Sequence, residues 1–207
     1  MSFDLYIAGI DEIPTDDFDD LTEIISAYRI KKSIKYKSEK DRKLSILSSL
    51  LLDKALQKYG LCEKDMQYST NDYGKPYFMN AEELHFSISH SGDYAMVVMS
   101  DKEIGCDIQQ IKDVNLRIAD RFFTADEHEY VKSTEDFFKI WTYKESFIKA
   151  VGKGLAIPLN SFTIKGLETD KPYCEYEGKI YRFKEFDNIN EYCIAVCEAE
   201  EEKGLSL

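Results

Sequence analysis

Three short stretches of the chain carry side chains able to bind ions or move protons. The first is Ile104-Gly105-Cys106-Asp107-Ile108-Gln109, where a carboxylate and an amide stand two residues apart. On a β-strand that spacing puts both on one face, and Gly105 beside them would leave room for a ligand. The second is Glu145 with Lys149, four residues apart and therefore on one face of a helix. The third is Ser89-His90-Ser91, at the end of an alternating run. Carboxylates and amides offer oxygen to hard cations, an ammonium binds anions, and a carboxylate or imidazole accepts protons. Each group also has an ordinary structural reading. Glu145 and Lys149 can be a surface pair worth about 0.2–0.5 kcal/mol, Asp107 an edge or turn residue, and His90 a hydrogen-bonded residue at a strand end.

The elements that must position these residues are legible in the pattern of apolar side chains. Residues 85–90 alternate, Ser91-Gly92-Asp93 reads as a turn, and residues 94–100 form a second strand, so the pair predicts a hairpin. Residues 103–108 predict a strand with Ile104, Cys106 and Ile108 on one face and Gly105, Asp107 and Gln109 on the other. Residues 136–151 predict a helix with Phe138, Trp141, Ile148 and Val151 toward the core, ended by Gly152-Lys153-Gly154 and Pro158. Upstream, residues 3–10 read as a strand. Residues 39–60 read as a helix, with Leu44, Leu47, Leu51, Leu52, Ala55, Leu56 and Tyr59 forming one apolar stripe. Residues 115–123 predict a short amphipathic helix, and Thr124-Ala125-Asp126-Glu127 is a capping box that starts another at Ala125. Residues 162–164, 179–186 and 192–196 predict strands of an antiparallel sheet, and residues 198–202 an acidic, frayed tail. Strand, helix and strands thus occur once before about residue 103 and again after it. No Pro- or Gly-rich linker separates the halves, so they should pack as one unit.

Composition narrows the function. The 207 residues suffice for one large domain or two packed subdomains. An apolar fraction of 43% and an aromatic fraction of 13% belong to a folded chain. There is no apolar run of about 20 residues to span a membrane, and Met1-Ser2-Phe3-Asp4-Leu5-Tyr6 has no secretory pattern, so a cytoplasmic location is expected. The five cysteines (Cys62, Cys106, Cys174, Cys193, Cys197) are odd in number and contain no Cys-x-x-Cys, which predicts free, structural thiols. A net charge of −12 argues against general nucleic-acid binding. The charge is uneven, however. Residues 11–23 hold seven acids, whereas residues 29–43 hold eight bases against two acids, either a solvated face or a site for a discrete anion. No Walker loop, Gly-x-Gly-x-x-Gly, His-Glu-x-x-His or Gly-x-Ser-x-Gly occurs.

The order of motifs is more specific than any one of them. Tyr73-Gly74-Lys75-Pro76 is followed by Phe86-Ser87-Ile88-Ser89-His90-Ser91 and then by Ile104-Gly105-Cys106-Asp107. After these comes Trp141-x-x-Lys144-Glu145-Ser146-x-x-Lys149-x-x-Gly152-x-Gly154. The series closely resembles the Sfp-type 4′-phosphopantetheinyl transferase family, most strongly over residues 73–164. The resemblance implies an α+β fold of two similar subdomains related by a pseudo-twofold, residues 1–103 and 104–207, each an antiparallel sheet with packed helices. Coenzyme A would lie in the cleft between them, and the chain would be a monomer.

The resemblance further implies that Asp107 and Glu145 ligate Mg²⁺. Gln109 stands where many members carry a glutamate, so weaker metal binding is expected. Glu145 and Lys149 would be catalytic, with Glu145 as general base and Lys149 assisting the leaving group. Arg29, Lys32 and Arg42 would approach the 3′-phosphate of coenzyme A. Lys75, Pro76, Ser89 and His90 would contact its nucleotide and phosphates. The expected reaction moves the phosphopantetheine arm to a serine of an apo acyl, peptidyl or polyketide carrier protein. Its setting would extend beyond fatty-acid carriers to secondary metabolite biosynthesis. No nucleic acid or membrane is implied as a partner. Phe122 and Phe123, within residues 115–130, are a candidate part of the carrier-docking surface. Two other readings use the same residues: another Mg²⁺-dependent phosphoryl-transfer enzyme, or a non-catalytic module that binds coenzyme A or a carrier.

Overall fold

The structure, a computed structural model, describes residues 2–13, Leu21 and residues 23–200. Asp16, Asp17, Asp19 and Asp20 of the acidic stretch, and Glu201 and Glu202 of the tail, lie outside the described residues. The chain opens with strand β1 (Asp4–Gly9), followed by helix α1 (Ala27–Ser33) and helix α2 (Glu39–Gln57). A small hairpin of β2 (Tyr68–Thr70) and β3 (Pro76–Phe78) precedes the larger hairpin of β4 (His85–Ser91) and β5 (Tyr94–Ser100). Strand β6 (Ile104–Gln110) begins the second half. It is followed by α3 (Ala119–Phe122), α4 (Ala125–Tyr130), α5 (Thr134–Val151), β7 (Tyr173–Tyr176), β8 (Lys179–Phe186) and β9 (Tyr192–Ala199).

The two halves share a connection pattern. In the first sheet the order is β1-β5-β4, and in the second it is β6-β9-β8-β7. In each, the first strand pairs antiparallel with the last, and the last with the one before it. Side-chain parity sorts the core into layers. Ala95, Val97 and Met99 of β5 face Leu44, Leu47, Leu51, Leu52, Ala55 and Leu56 of α2. Ala195 and Cys197 of β9 face Tyr143, Phe147, Ile148 and Ala150 of α5. The alternate residues Met96 and Val98 meet Ile194, Val196, Ile104, Cys106 and Ile108 in a third cluster between the sheets. Strands buried on both faces read as continuous apolar runs, as β5 and β9 do.

Helix α5 seats directly on β6. Asp136 and Ser133 close its N-terminus reciprocally, with Ser133 Oγ accepting from Asp136 N at 3.1 Å and Asp136 Oδ2 from Ser133 N at 2.9 Å. Its C-terminus turns at Gly152, with φ of +78°. Gly105 carries the approach: a Cβ there would run into Ser146 O and Ala150 N of the helix backbone. The space made by this glycine is therefore filled by α5 and not by a ligand, which corrects the expectation from the strand pattern.

Where the halves join, side chains replace a ladder. Strand β6 lies at the edge of its sheet, and one row of its N–H groups faces β4. Ser87, Ser89 and Ser91 of β4 accept from Cys106 N, Ile108 N and Gln110 N at 3.1, 3.4 and 3.1 Å. The period of two in the serines matches the period of two in the N–H row. These three N–H groups of the edge are thus satisfied without a backbone partner.

Several expectations need correction. Residues 162–164 are not a strand, and this segment contributes only the isolated bridge Lys165–Tyr173. Phe162 and Ile164 are buried as packing residues under α5 instead. The basic block folds partly as α1, and β7 forms the far edge of the second sheet. Residues 115–123 form a 3-10 turn (Leu116–Ile118) running into α3. Phe123 is 5% exposed within a core cluster, which removes it as a docking residue, whereas Phe122 is half-buried and packs edge-on to Trp141 at 5.5 Å.

Ser87→Ala leaves the Cys106 N–H buried without its acceptor. The expected loss is about 1–3 kcal/mol in denaturant unfolding; an unchanged midpoint would show that the hydroxyl is not needed to seal the edge.

Candidate active site

Four side chains from three elements converge at the junction just described. Asp107 projects from β6 and is 1% exposed. Its Oδ1 accepts from Ser89 Oγ of β4 at 2.6 Å and from Lys149 Nζ of α5 at 2.6 Å. Lys149 Nζ also donates to Ser89 Oγ at 3.0 Å. Asp107 Oδ2 accepts from Gln109 Nε2 at 2.9 Å. Burial opposes the Lys149 ammonium, but the charge and hydrogen bond of Asp107, together with Cys106 and Glu145, lift the lysine above its ordinary value.

Glu145 lies one helical turn before Lys149, on the same pocket wall as Asp107 and Gln109. Burial and then the charge of Asp107 push its carboxyl above the usual range. It accepts no hydrogen bond among the described residues. Two carboxylates share one wall here with only a lysine between them, a donor set of hard oxygens that a divalent cation fits. Among the described residues no cluster of three or more His, Cys, Asp or Glu side chains exists, and Gln109 is the amide that lines the same wall. As oriented, that amide presents its nitrogen to Asp107.

A cleft of two adjoining pockets, about 250 and 290 Å³, runs from this group across the first half. One is lined by Ser89, His90, Asp107, Gln109, Glu145 and Tyr36, the other by Tyr73, Gly74, Lys75, Pro76, Gly152 and Gly154. Arg29, Lys32, Ile88 and Lys149 border both. Arg29 is 3% exposed, with Nε donating to Ser49 Oγ at 2.9 Å and Nη2 to Ser45 O at 3.5 Å. Among the described residues no carboxylate pairs with it, so a buried guanidinium faces a cleft that can supply an anion. Burial, then Arg29 and Lys35, hold the Lys32 ammonium below its usual pKa. Burial, then Lys149, do the same to His90, whose ring meets Tyr36 edge-on at 6.0 Å.

Helix α1, which carries Arg29 and Lys32, is anchored from a distance. Ser26 caps it, and Glu63 accepts from Ser26 N at 2.6 Å, from Ser26 Oγ at 2.7 Å and from Tyr68 Oη. Nothing in the local sequence marks Glu63 for that task.

Two expected ligands are placed differently from the rest. Arg42 lies outside both pockets, and its buried Nε has no hydrogen-bond partner among the described residues. Lys75 lines the cleft with its stem, while its Nζ donates to Ile104 O at 3.1 Å and Ala150 O at 3.0 Å.

Lys144, next to Glu145, points the other way, into the core. It is fully buried, with Nζ 2.7 Å from Glu127 Oε2, 2.7 Å from Leu159 O and 2.8 Å from Phe162 O. Glu127 also accepts from Thr124 N and Ile164 N. This satisfied pair fixes the roll of α5 so that Glu145 and Lys149 face the cleft. The capping box at Thr124 gave a sign of Glu127, but not of its ion pair.

Comparisons with known proteins agree across the chain. The family model described as the 4′-phosphopantetheinyl transferase superfamily matches residues 103–197. The model described as 4′-phosphopantetheinyl transferase, N-terminal, matches residues 14–102. The chain is 34% identical over 172 residues to 4′-phosphopantetheinyl transferase gsp of Aneurinibacillus migulanus, covering 80% of this chain and 72% of the relative. It is 33% identical over 190 residues to a 4′-phosphopantetheinyl transferase of Bacillus subtilis, covering 87% and 85%. It is also 34% identical over 148 residues to 4′-phosphopantetheinyl transferase Sfp of Bacillus subtilis strain 168, covering 68% and 66%.

A folded-state pKa below the unfolded one makes His90 cost stability as it protonates. The fold should therefore weaken as pH falls below about 6.5, where the unfolded chain takes up the proton and the folded chain does not. His90→Gln should flatten that slope in unfolding midpoints measured from pH 7.5 to 5; an unaltered slope would place the titration elsewhere.

Proposed function

The chain belongs to the 4′-phosphopantetheinyl transferase superfamily, and from that premise we propose that it transfers the 4′-phosphopantetheine group of coenzyme A to a serine of an apo carrier protein. The observation that carries the reading is the meeting of Asp107, Glu145, Lys149 and Ser89 at one end of a cleft whose other wall holds Arg29 and Lys32. The product left behind is adenosine 3′,5′-bisphosphate.

Each residue has a physical task in this reading. Arg29 and Lys32 offer unpaired positive charge to the 3′-phosphate. His90, held neutral by burial and by Lys149, donates a hydrogen bond to a phosphate oxygen without adding charge. Pro76 and the stem of Lys75 lie against the nucleotide. The carrier serine attacks the β-phosphorus, the bond to the bisphosphate breaks, and Glu145, on the wall beside Asp107 and Lys149, takes the serine proton. Lys149 stabilises the charge that collects on the departing bisphosphate. Asp107 and Glu145, with Gln109 beside them, would hold Mg²⁺, which would supply charge neutralisation on the phosphates. Catalysis is mainly positioning and charge stabilisation, as in other phosphoryl transfers.

The reading carries a cytoplasmic setting and a monomer, since both walls of the cleft come from one chain. The free cysteines support a reducing compartment. Among the described residues no helix is long and apolar enough to cross a membrane.

Incubation with coenzyme A, Mg²⁺ and an apo carrier should add roughly 340 Da to the carrier, the mass of one phosphopantetheine arm. Glu145→Gln, Asp107→Ala and chelation of the metal should each abolish the gain, with folding retained. Release of phosphate without carrier modification would overturn the reading.

A further inference from the structure

The loop between β2 and β3 is built to hold something other than itself. Asn71 Oδ1 accepts from Tyr73 N at 3.0 Å and Lys75 N at 2.9 Å, and Asn71 N donates to Lys75 O at 3.0 Å. Gly74, with φ of +86°, makes the turn. The remaining polar groups of the two side chains then leave the first half altogether. Asn71 Nδ2 donates to Gly152 O at 2.8 Å, and Lys75 Nζ donates to Ala150 O and Ile104 O.

These acceptors are a carbonyl of the last turn of α5, that of its C-terminal cap Gly152, and the first carbonyl of β6. The final carbonyls of a helix have no partner of their own, and a cation there also meets the negative end of the helix dipole. The lysine stem lies across Gly152, where a Cβ would stand 2.8 Å from Lys75 Cδ. Among the described residues no carboxylate pairs with the ammonium, and burial holds its pKa down to about 8. An ammonium placed on main-chain carbonyls alone is an electrostatically costly choice for a surface loop.

The geometry points to a positioning role: Lys75 and Asn71 form a brace that fixes α5 against β6, and so sets the spacing of Glu145 and Lys149 from Asp107. This inference rests on the transfer reaction proposed above. The brace closes on Ile104 and Ala150, the same contact where Gly105 receives the backbone of α5. Lys149 lies one residue from that contact, Glu145 about a turn away, and Asp107 two residues along the strand. A slip there is passed directly to the reacting groups.

The test compares the wild-type chain with Lys75→Met, which keeps the stem over Gly152 and deletes the ammonium, and with Asn71→Ala. Transfer kinetics are read with coenzyme A and an apo carrier, and the shift of the thermal midpoint by Mg²⁺ is read without turnover. Lys75→Met should lower kcat by about tenfold to a hundredfold, the scale of a small misplacement. It should leave KM for coenzyme A within about twofold and shrink the Mg²⁺-induced shift. Asn71→Ala should move the same quantities in the same direction by less. A raised KM with kcat and Mg²⁺ shift unchanged makes Lys75 a direct ligand of coenzyme A and overturns the brace. If Lys75→Met does not fold, unchanged kcat and Mg²⁺ shift in Asn71→Ala overturn it equally. A wild-type chain without transfer defeats the reaction itself, and the Mg²⁺ shifts of the variants then still decide the brace.

Discussion

A carboxylate buried to 1% exposure has to be answered by cations and donors, and the site is organised around how Asp107 is answered. An isolated buried charge is untenable, and removing one partner of a buried pair costs about 3–5 kcal/mol. Lys149, Ser89 and Gln109 take both oxygens of Asp107, each from a different direction. For those partners to arrive, β6 must touch α5 at backbone distance and β4 along its open edge. Gly105 permits the first contact, and the three serine hydroxyls make the second. The Glu127–Lys144 pair fixes the roll of α5, and the loop of Asn71 and Lys75 grips its end.

The two halves divide the labour by charge. The first half brings Arg29, Lys32 and, on the strand that faces β6, Ser89 and His90; the second brings Asp107, Glu145 and Lys149. A chain of net charge −12 thus holds a cationic wall where an anion of several phosphates would enter. Glu145 is left with burial and a like charge beside it, an arrangement that a divalent cation bound there would relieve.

The sequence carried the elements better than their meeting. Parity along β6 put Asp107 and Gln109 on one face, and helical spacing put Glu145 and Lys149 together, because both rest on local geometry. That these faces meet depends on β6 lying against α5, a contact between segments some 40 residues apart, and only the family resemblance anticipated it. Gly105 was legible as space, but what fills the space is set by tertiary packing. The serine stripe looked like any half-polar strand, because its acceptors serve backbone groups that no side-chain pattern announces. Lys75 stood in a motif suggestive of a ligand, yet its ammonium turns to carbonyls 29 and 75 residues away. Helix α1 was hidden in a run of lysines because its anchor, Glu63, is 37 residues downstream of the cap it holds.

The most direct measurement is a crystal structure of the chain with coenzyme A and Mn²⁺ in place of Mg²⁺, the metal placed by anomalous scattering. The account predicts a single strong peak in contact with Asp107 and Glu145, with Lys149 displaced from Asp107 Oδ1 toward a phosphate oxygen. A peak elsewhere, with Asp107 still closed by Lys149 and Ser89, would contradict it.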